Sequence, residues 1–166
     1  MSRTGLWLLV GFGVLLAVPL QVGVLPLFIG GRWAPHLGVL TVFLVGLRYG
    51  EGPGVLLGLV MGLVYDRFTV GEVGLHLLLL PTIGVATAAV RRLVPEMTFS
   101  GHLALLVVVV VVSEVAGAVL FDLAGSLLLD GTLVVRQLIP AILSNVVWGG
   151  LLLFAVEASG RLAREP

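Results

Sequence analysis

Gly62-Leu63-Val64-Tyr65-Asp66-Arg67-Phe68-Thr69-Val70-Gly71-Glu72-Val73-Gly74-Leu75-His76 closes one apolar run and opens the next. Asp66, Arg67 and Glu72 interrupt a chain that otherwise avoids charge. Gly71 and Gly74 supply backbone freedom where a helix has to stop and the chain has to turn. The stretch reads as the polar link between two apolar helices, and the same alternation of long apolar run and short polar link recurs along the chain.

Of 166 residues, 59% are hydrophobic and only 11% charged, and the mean hydropathy is +1.20. A water-soluble domain of this length has too little polar surface to cover so much apolar side chain. Runs such as Leu103–Val112 do not alternate, which argues against a membrane β-barrel. The chain is therefore expected to be all-α, a polytopic bundle forming one integral-membrane domain over residues 1–166. Net charge is zero, so nothing electrostatic points to nucleic acid. Cysteine is absent, which removes disulfides, thiolate catalysis and cysteine metal sites. Gly5–Phe28 is too long for a signal-peptide core and no small-x-small cleavage site follows it, so it reads as a first helix that stays attached.

Six transmembrane helices are expected, at about 5–28, 33–48, 53–65, 75–90, 101–121 and 134–156. Pro19 and Pro26 predict a kink in the first. The second and third are expected to be short, near 20–25 Å. Joining them into one helix over Leu37–Tyr65 would bury Arg48 and Glu51, at about 2.5–3.5 kcal/mol for each charge at a helix centre. The six valines Val107–Val112 disfavour a helix in water, but in lipid the backbone has no other partner. With six spans, Arg3, Arg48, Arg91, Arg92, Arg161 and Arg164 fall on one side and Arg32, Arg67 and Arg136 on the other. That asymmetry predicts both termini in the cytoplasm.

Gly46, Gly50, Gly54, Gly58 and Gly62 recur every four residues. Gly54, Gly58 and Gly62 make one bare stripe on the third span, a surface a second helix approaches closely. Packing inside the chain's own bundle is the commoner use of such a stripe. The short second and third spans favour instead a helix from outside the bundle, and a partner-helix groove is the expectation here. Glu114 is the one acid deep inside a span, with Ser144 and Asn145 at comparable depth in the sixth. Intramembrane acids mark proton or ion sites by default. No second ionisable group lies at that depth, so a neutral Glu114 hydrogen-bonded to Ser144 or Asn145 is the favoured reading. Ser113 and Gly117 give the fifth span a small face beside it.

Asp66 with Arg67 reads as a solvated helix end with a local ion pair worth under ~1 kcal/mol. His36, His76 and His102 stand apart in sequence and match no metal spacing, so they read as isolated interfacial side chains and no metal or other cofactor is expected. The intramembrane polar groups Gln21, Thr41, Thr82, Thr87, Ser113, Glu114, Ser144 and Asn145 read as few and scattered. There is no GxSxG, P-loop or HExxH, and Gly11-Phe12-Gly13 lies inside a membrane helix. Enzymatic activity is not expected.

Gly62-Leu63, Asp66 and Gly74-Leu75-His76, together with Pro140 and Asn145 in Leu-x-Pro-x4-Asn, resemble the MreD family of bacterial rod-shape proteins in order and in span. The resemblance implies a non-enzymatic, multi-pass scaffold of the bacterial cytoplasmic (inner) membrane. Such a scaffold binds MreC and connects MreB filaments to the peptidoglycan synthases of elongation. Membrane lipids are the other contact, and self-association stays open. The MreD fold also resembles the substrate-binding components of energy-coupling-factor vitamin transporters, whose implied function, capture of a small molecule, is the alternative. That alternative calls for an Ala-x3-Ala docking face on the first span, where this sequence has Gly13-x3-Ala17.

Overall fold

The computed structural model of the chain describes residues 3–30, 33–68, 74–123 and 134–159. Among these residues all regular structure is helical. α1 (Arg3–Pro19) continues through a π-helical turn, Leu20–Val24, into α2 (Leu25–Ile29). α3 spans Leu37–Tyr49, α4 Glu51–Phe68, α5 Leu75–Leu93 and α6 Phe99–Leu123. A second π turn, Val134–Leu138, leads into α7 (Ile139–Ala158). Leu75–Leu93, Phe99–Leu120 and Arg136–Ala158 are long and apolar enough to cross a membrane; Gly13–Ile29 and Leu37–Tyr49 are apolar but shorter.

Two boundaries correct the expectation. The second helix starts at Leu37, because Pro35 holds the connector before it out of helical geometry. The third is not short: α4 has 18 residues, about 27 Å. It takes in Pro53 within its first turn, where a missing N–H costs little.

Both π turns have the same cause. Pro26 and Pro140 each lie two residues past the end of one. A proline ring inside a helix clashes with the carbonyl four residues back and removes one donor. Widening the preceding turn, as where the Leu25 N–H reaches the Leu20 carbonyl, lets the helix continue through the proline. Pro140 thus lies inside a continuous helical path that starts at Val134, as the expected span 134–156 had it.

The centre of the bundle is α3, α4 and α5, with α4 antiparallel to the other two. Its glycines fix the register. A Cβ at Gly58 would lie 2.6 Å from the Pro81 nitrogen, and one at Gly62 2.5 Å from the His76 carbonyl oxygen. A Cβ at Gly54 would lie 3.0 Å from the Gly46 Cα and 3.2 Å from the Gly84 Cα. Three helices therefore meet backbone to backbone at Gly46, Gly54 and Gly84. Pro81 suits its place opposite Gly58, since it carries no N–H to project into the contact. The expected outside partner for Gly54, Gly58 and Gly62 is overturned: α5 of the same chain fills the stripe, and small residues are what allow that approach.

Around this centre pack Phe43, Leu40, Leu47, Leu57, Met61 and Leu80, all essentially inaccessible. α6 and α7 form an antiparallel pair, with Phe99 edge-on to Phe154 at 6.2 Å and Leu40 and Leu106 closing over Gly149. α1 lies against α4 and α3 where Gly13 faces Leu57 and Thr41. Successive long helices alternate in direction, so α1 begins and α7 finishes at the same end.

Candidate functional site

Four of the polar groups that read as scattered, Gln21, Glu114, Ser144 and Asn145, converge at the other end, while Thr41, Thr82, Thr87 and Ser113 bond carbonyls of their own helices. Asp66, one residue pair before the end of α4, reaches across to the start of α5. It accepts from the backbone N–H of Gly74 (3.0 Å), His76 (3.0 Å) and Leu77 (3.1 Å), and its Oδ1 lies 3.0 Å from His76 Nδ1. The first turn of a helix has free N–H donors and a positive dipole end, so a carboxylate placed there is held by both. Gly74 has φ 93°, a left-handed conformation that favours glycine. This explains the Asp66, Gly74 and His76 pattern physically: one residue to cap, one to turn, one to pair. It also corrects the expected Asp66–Arg67 solvated end, since the Asp66 side chain is only 7% exposed and its partner is His76.

His76 in turn meets His36 from the connector before α3. The two Nε2 atoms lie 3.4 Å apart and the rings stack at 5.4 Å. Tyr65 completes a triangle of rings, 5.6 Å from each histidine. Its hydroxyl donates to Gln21 Oε1 at 2.6 Å, and the same oxygen accepts the Gly38 N–H at 3.3 Å. Gln21 sits in the π turn of the first helix, so that distortion also aims this amide at α3 and α4.

On its far side the connector is tied to α7. The His36 N–H donates to Asn145 Oδ1 at 2.6 Å, and Ser144 Oγ donates to the Trp33 carbonyl at 2.5 Å. Asn145 Nδ2 then donates to Glu114 Oε1 of α6 at 2.8 Å. Of the two partners expected for Glu114, Asn145 makes the bond and Ser144 is engaged elsewhere. His36 and His76 are not isolated, contrary to the sequence reading. Burial first, then the neighbouring His76, hold the His36 imidazole down to about 3, against a backbone bond that raises it. His36 keeps some exposed surface, but its Nδ1 has none and no hydrogen-bond partner.

The opposite end is simpler. Arg91 Nη1 donates to the Leu47 and Arg48 carbonyls, covering the free C-terminal acceptors of α3. Arg92 pairs with Glu51 at 2.6 Å, and His102 with Glu157 at 2.9 Å. Among the described residues no three His, Cys, Asp or Glu side chains are grouped as metal ligands.

A helical membrane bundle, closed by glycine contacts and carrying one buried hydrogen-bonded cluster at one end, is the class of protein these features define. A family model described as rod shape-determining protein MreD matches residues 1–161. The chain belongs to the MreD family and is a rod shape-determining membrane protein. No curated protein and no solved structure matches it.

Proposed function

We propose that the chain is a non-enzymatic, six-span scaffold of the bacterial inner membrane, with both termini cytoplasmic. In this reading it binds MreC and links MreB to the elongation synthases. The observation that carries the proposal is the family match across residues 1–161. The Arg asymmetry of the sequence supports the orientation. The partner surface in this reading is not the glycine stripe, which α5 occupies. It is the outer valine face of α6, with Val108, Val112 and Val115 exposed. The alternative, capture of a small molecule, is less supported: Asp66, Gln21, Asn145 and Glu114 are hydrogen-bonded within the cluster.

Photocrosslinkers placed singly at Val108, Val112 and Val115 in cells expressing tagged MreC test this reading. One face of α6 should crosslink to MreC, and MreC should co-purify with the unmodified chain. Failure of both would overturn the partner assignment.

A further inference from the structure

The connector Trp33–His36 works as a strap. Two hydrogen bonds fasten it to α7, at Ser144 and Asn145, and through Asn145 it reaches Glu114 of α6. Its last residue rests its ring on His76 of α5 and Tyr65 of α4. The α6–α7 pair is thus tied through His36 to the glycine-packed centre. The neighbouring contact, Leu40 and Leu106 over Gly149, is apolar and has no such direction.

The protons of the cluster can be placed one by one. Asp66 accepts three backbone donors and faces His76 Nδ1, and only a carboxylate is acceptor on both oxygens. With His76 Nδ1–H directed at that carboxylate, a neutral His76 ring is the acceptor at Nε2. His36 then presents Nε2–H to it. The His36 Nδ1 is left as a bare lone pair, buried and facing no donor. A buried acceptor without a partner is unfavourable. A proton added there makes an imidazolium beside His76, and the one contact that favours it, with the residue's own backbone, is outweighed by burial and by His76.

We propose that His36 is a proton-operated latch: taking up one proton frees the Trp33–His36 strap from α7 and loosens the α6–α7 pair from the α3–α5 centre.

The groups around His36 favour release over protonation in place. From α5 comes His76, whose Nε2 already faces the His36 Nε2. From α4 comes Tyr65, whose hydroxyl is turned to Gln21 of the first helix. Asp66 stands behind His76, and Glu114 stands behind Asn145. Neither carboxylate is hydrogen-bonded to the His36 ring.

The sign of the pH dependence follows. Fastened, the ring is held far below its ordinary range by burial and by His76; free in water it titrates near 6.5. The proton binds the open form more tightly, so the fastened form is favoured above about pH 6.5 and lost as pH falls below it. Between pH 8 and pH 5 the open-to-fastened ratio rises about thirtyfold. The fastened-state value drops out of that figure once it lies well below pH 5.

The native chain has no cysteine, so the opening can be read by thiol labelling. Pro35 is buried in the strap and Ser100 is exposed at the start of α6. The labelling rate of Pro35→Cys divided by that of Ser100→Cys, in purified protein in nanodiscs, cancels the intrinsic pH dependence of the reagent. This ratio should rise about thirtyfold from pH 8 to pH 5. His36→Gln, which stays neutral, should flatten it. Ala34→Cys provides a second strap position should Pro35→Cys not fold. A flat ratio in the native background, or an undiminished rise in His36→Gln, overturns the latch.

Discussion

Replacing Gly58 by alanine places one methyl group against backbone. Its Cβ would lie 2.6 Å from the Pro81 nitrogen and 2.7 Å from both the Leu80 carbonyl carbon and the Pro81 Cα. Comfortable contact needs about 3.5 Å or more, so α4 and α5 must part by roughly 1 Å. A gap of that size forfeits a quarter to a half of the dispersion between the facing atoms. It acts along the whole contact, which includes Gly62 on His76 and Gly54 on Gly84. Overpacking of this kind costs about 1–3 kcal/mol, while alanine returns up to about 1 kcal/mol of helix propensity over glycine. The net expectation is a loss of about 1–2 kcal/mol. Gly117→Ala in α6 is the control, since a Cβ there meets nothing within 4 Å. Reversible unfolding in mixed micelles, read by circular dichroism, compares the two. Equal stability of Gly58→Ala and Gly117→Ala would refute the backbone-contact reasoning.

Other expectations follow from the polar cluster and the helix directions. Asp66→Asn leaves one oxygen where two accepted, and sets an amide N–H against helix N–H donors; a loss of about 2–3 kcal/mol is expected in the same unfolding assay. Glu114→Gln keeps an oxygen for Asn145 Nδ2 and should accumulate in membranes like the native chain, whereas Glu114→Leu strands that donor and should lose about 1–3 kcal/mol. Single cysteines at Trp33 and Gln137 should react with an impermeant maleimide on intact cells, and those at Glu51 and Thr98 should not; labelling at Glu51 or Thr98 would reverse the orientation.

The helices were legible because apolar run length and polar links suffice to place them in a membrane protein. The glycine stripe was legible as a surface, but not its occupant. The other half of that contact is the backbone of His76, Leu80 and Pro81, which leaves no mark in a side-chain pattern. Gly46 and Gly84, bare at the same junction, were the available signal. The Glu114–Asn145 bond was legible from matched depth in neighbouring spans. The His36–His76 contact was not, because it joins a connector to a helix start 40 residues on. The His36–Asn145 bond spans 109 residues. Linear spacing carries no information about which connector folds over which helix end. The π turns escaped for a local reason: a proline in a helix reads as a kink, and the choice between kinking and widening depends on neighbours such as Gln21 and its partners Tyr65 and Gly38.

Cell shape tests the central claim, that this folded bundle determines rod form, most directly. The chromosomal copy in the native host would be deleted and replaced in turn by the native chain, Gly117→Leu and Gly58→Leu. Cell outlines would be measured by phase-contrast microscopy, with membrane levels checked by immunoblot. The account predicts round cells on deletion, rods with the native chain and with Gly117→Leu, and round cells with Gly58→Leu, whose side chain has no room against Pro81. Rods that persist after deletion, or full rescue by Gly58→Leu, would contradict it.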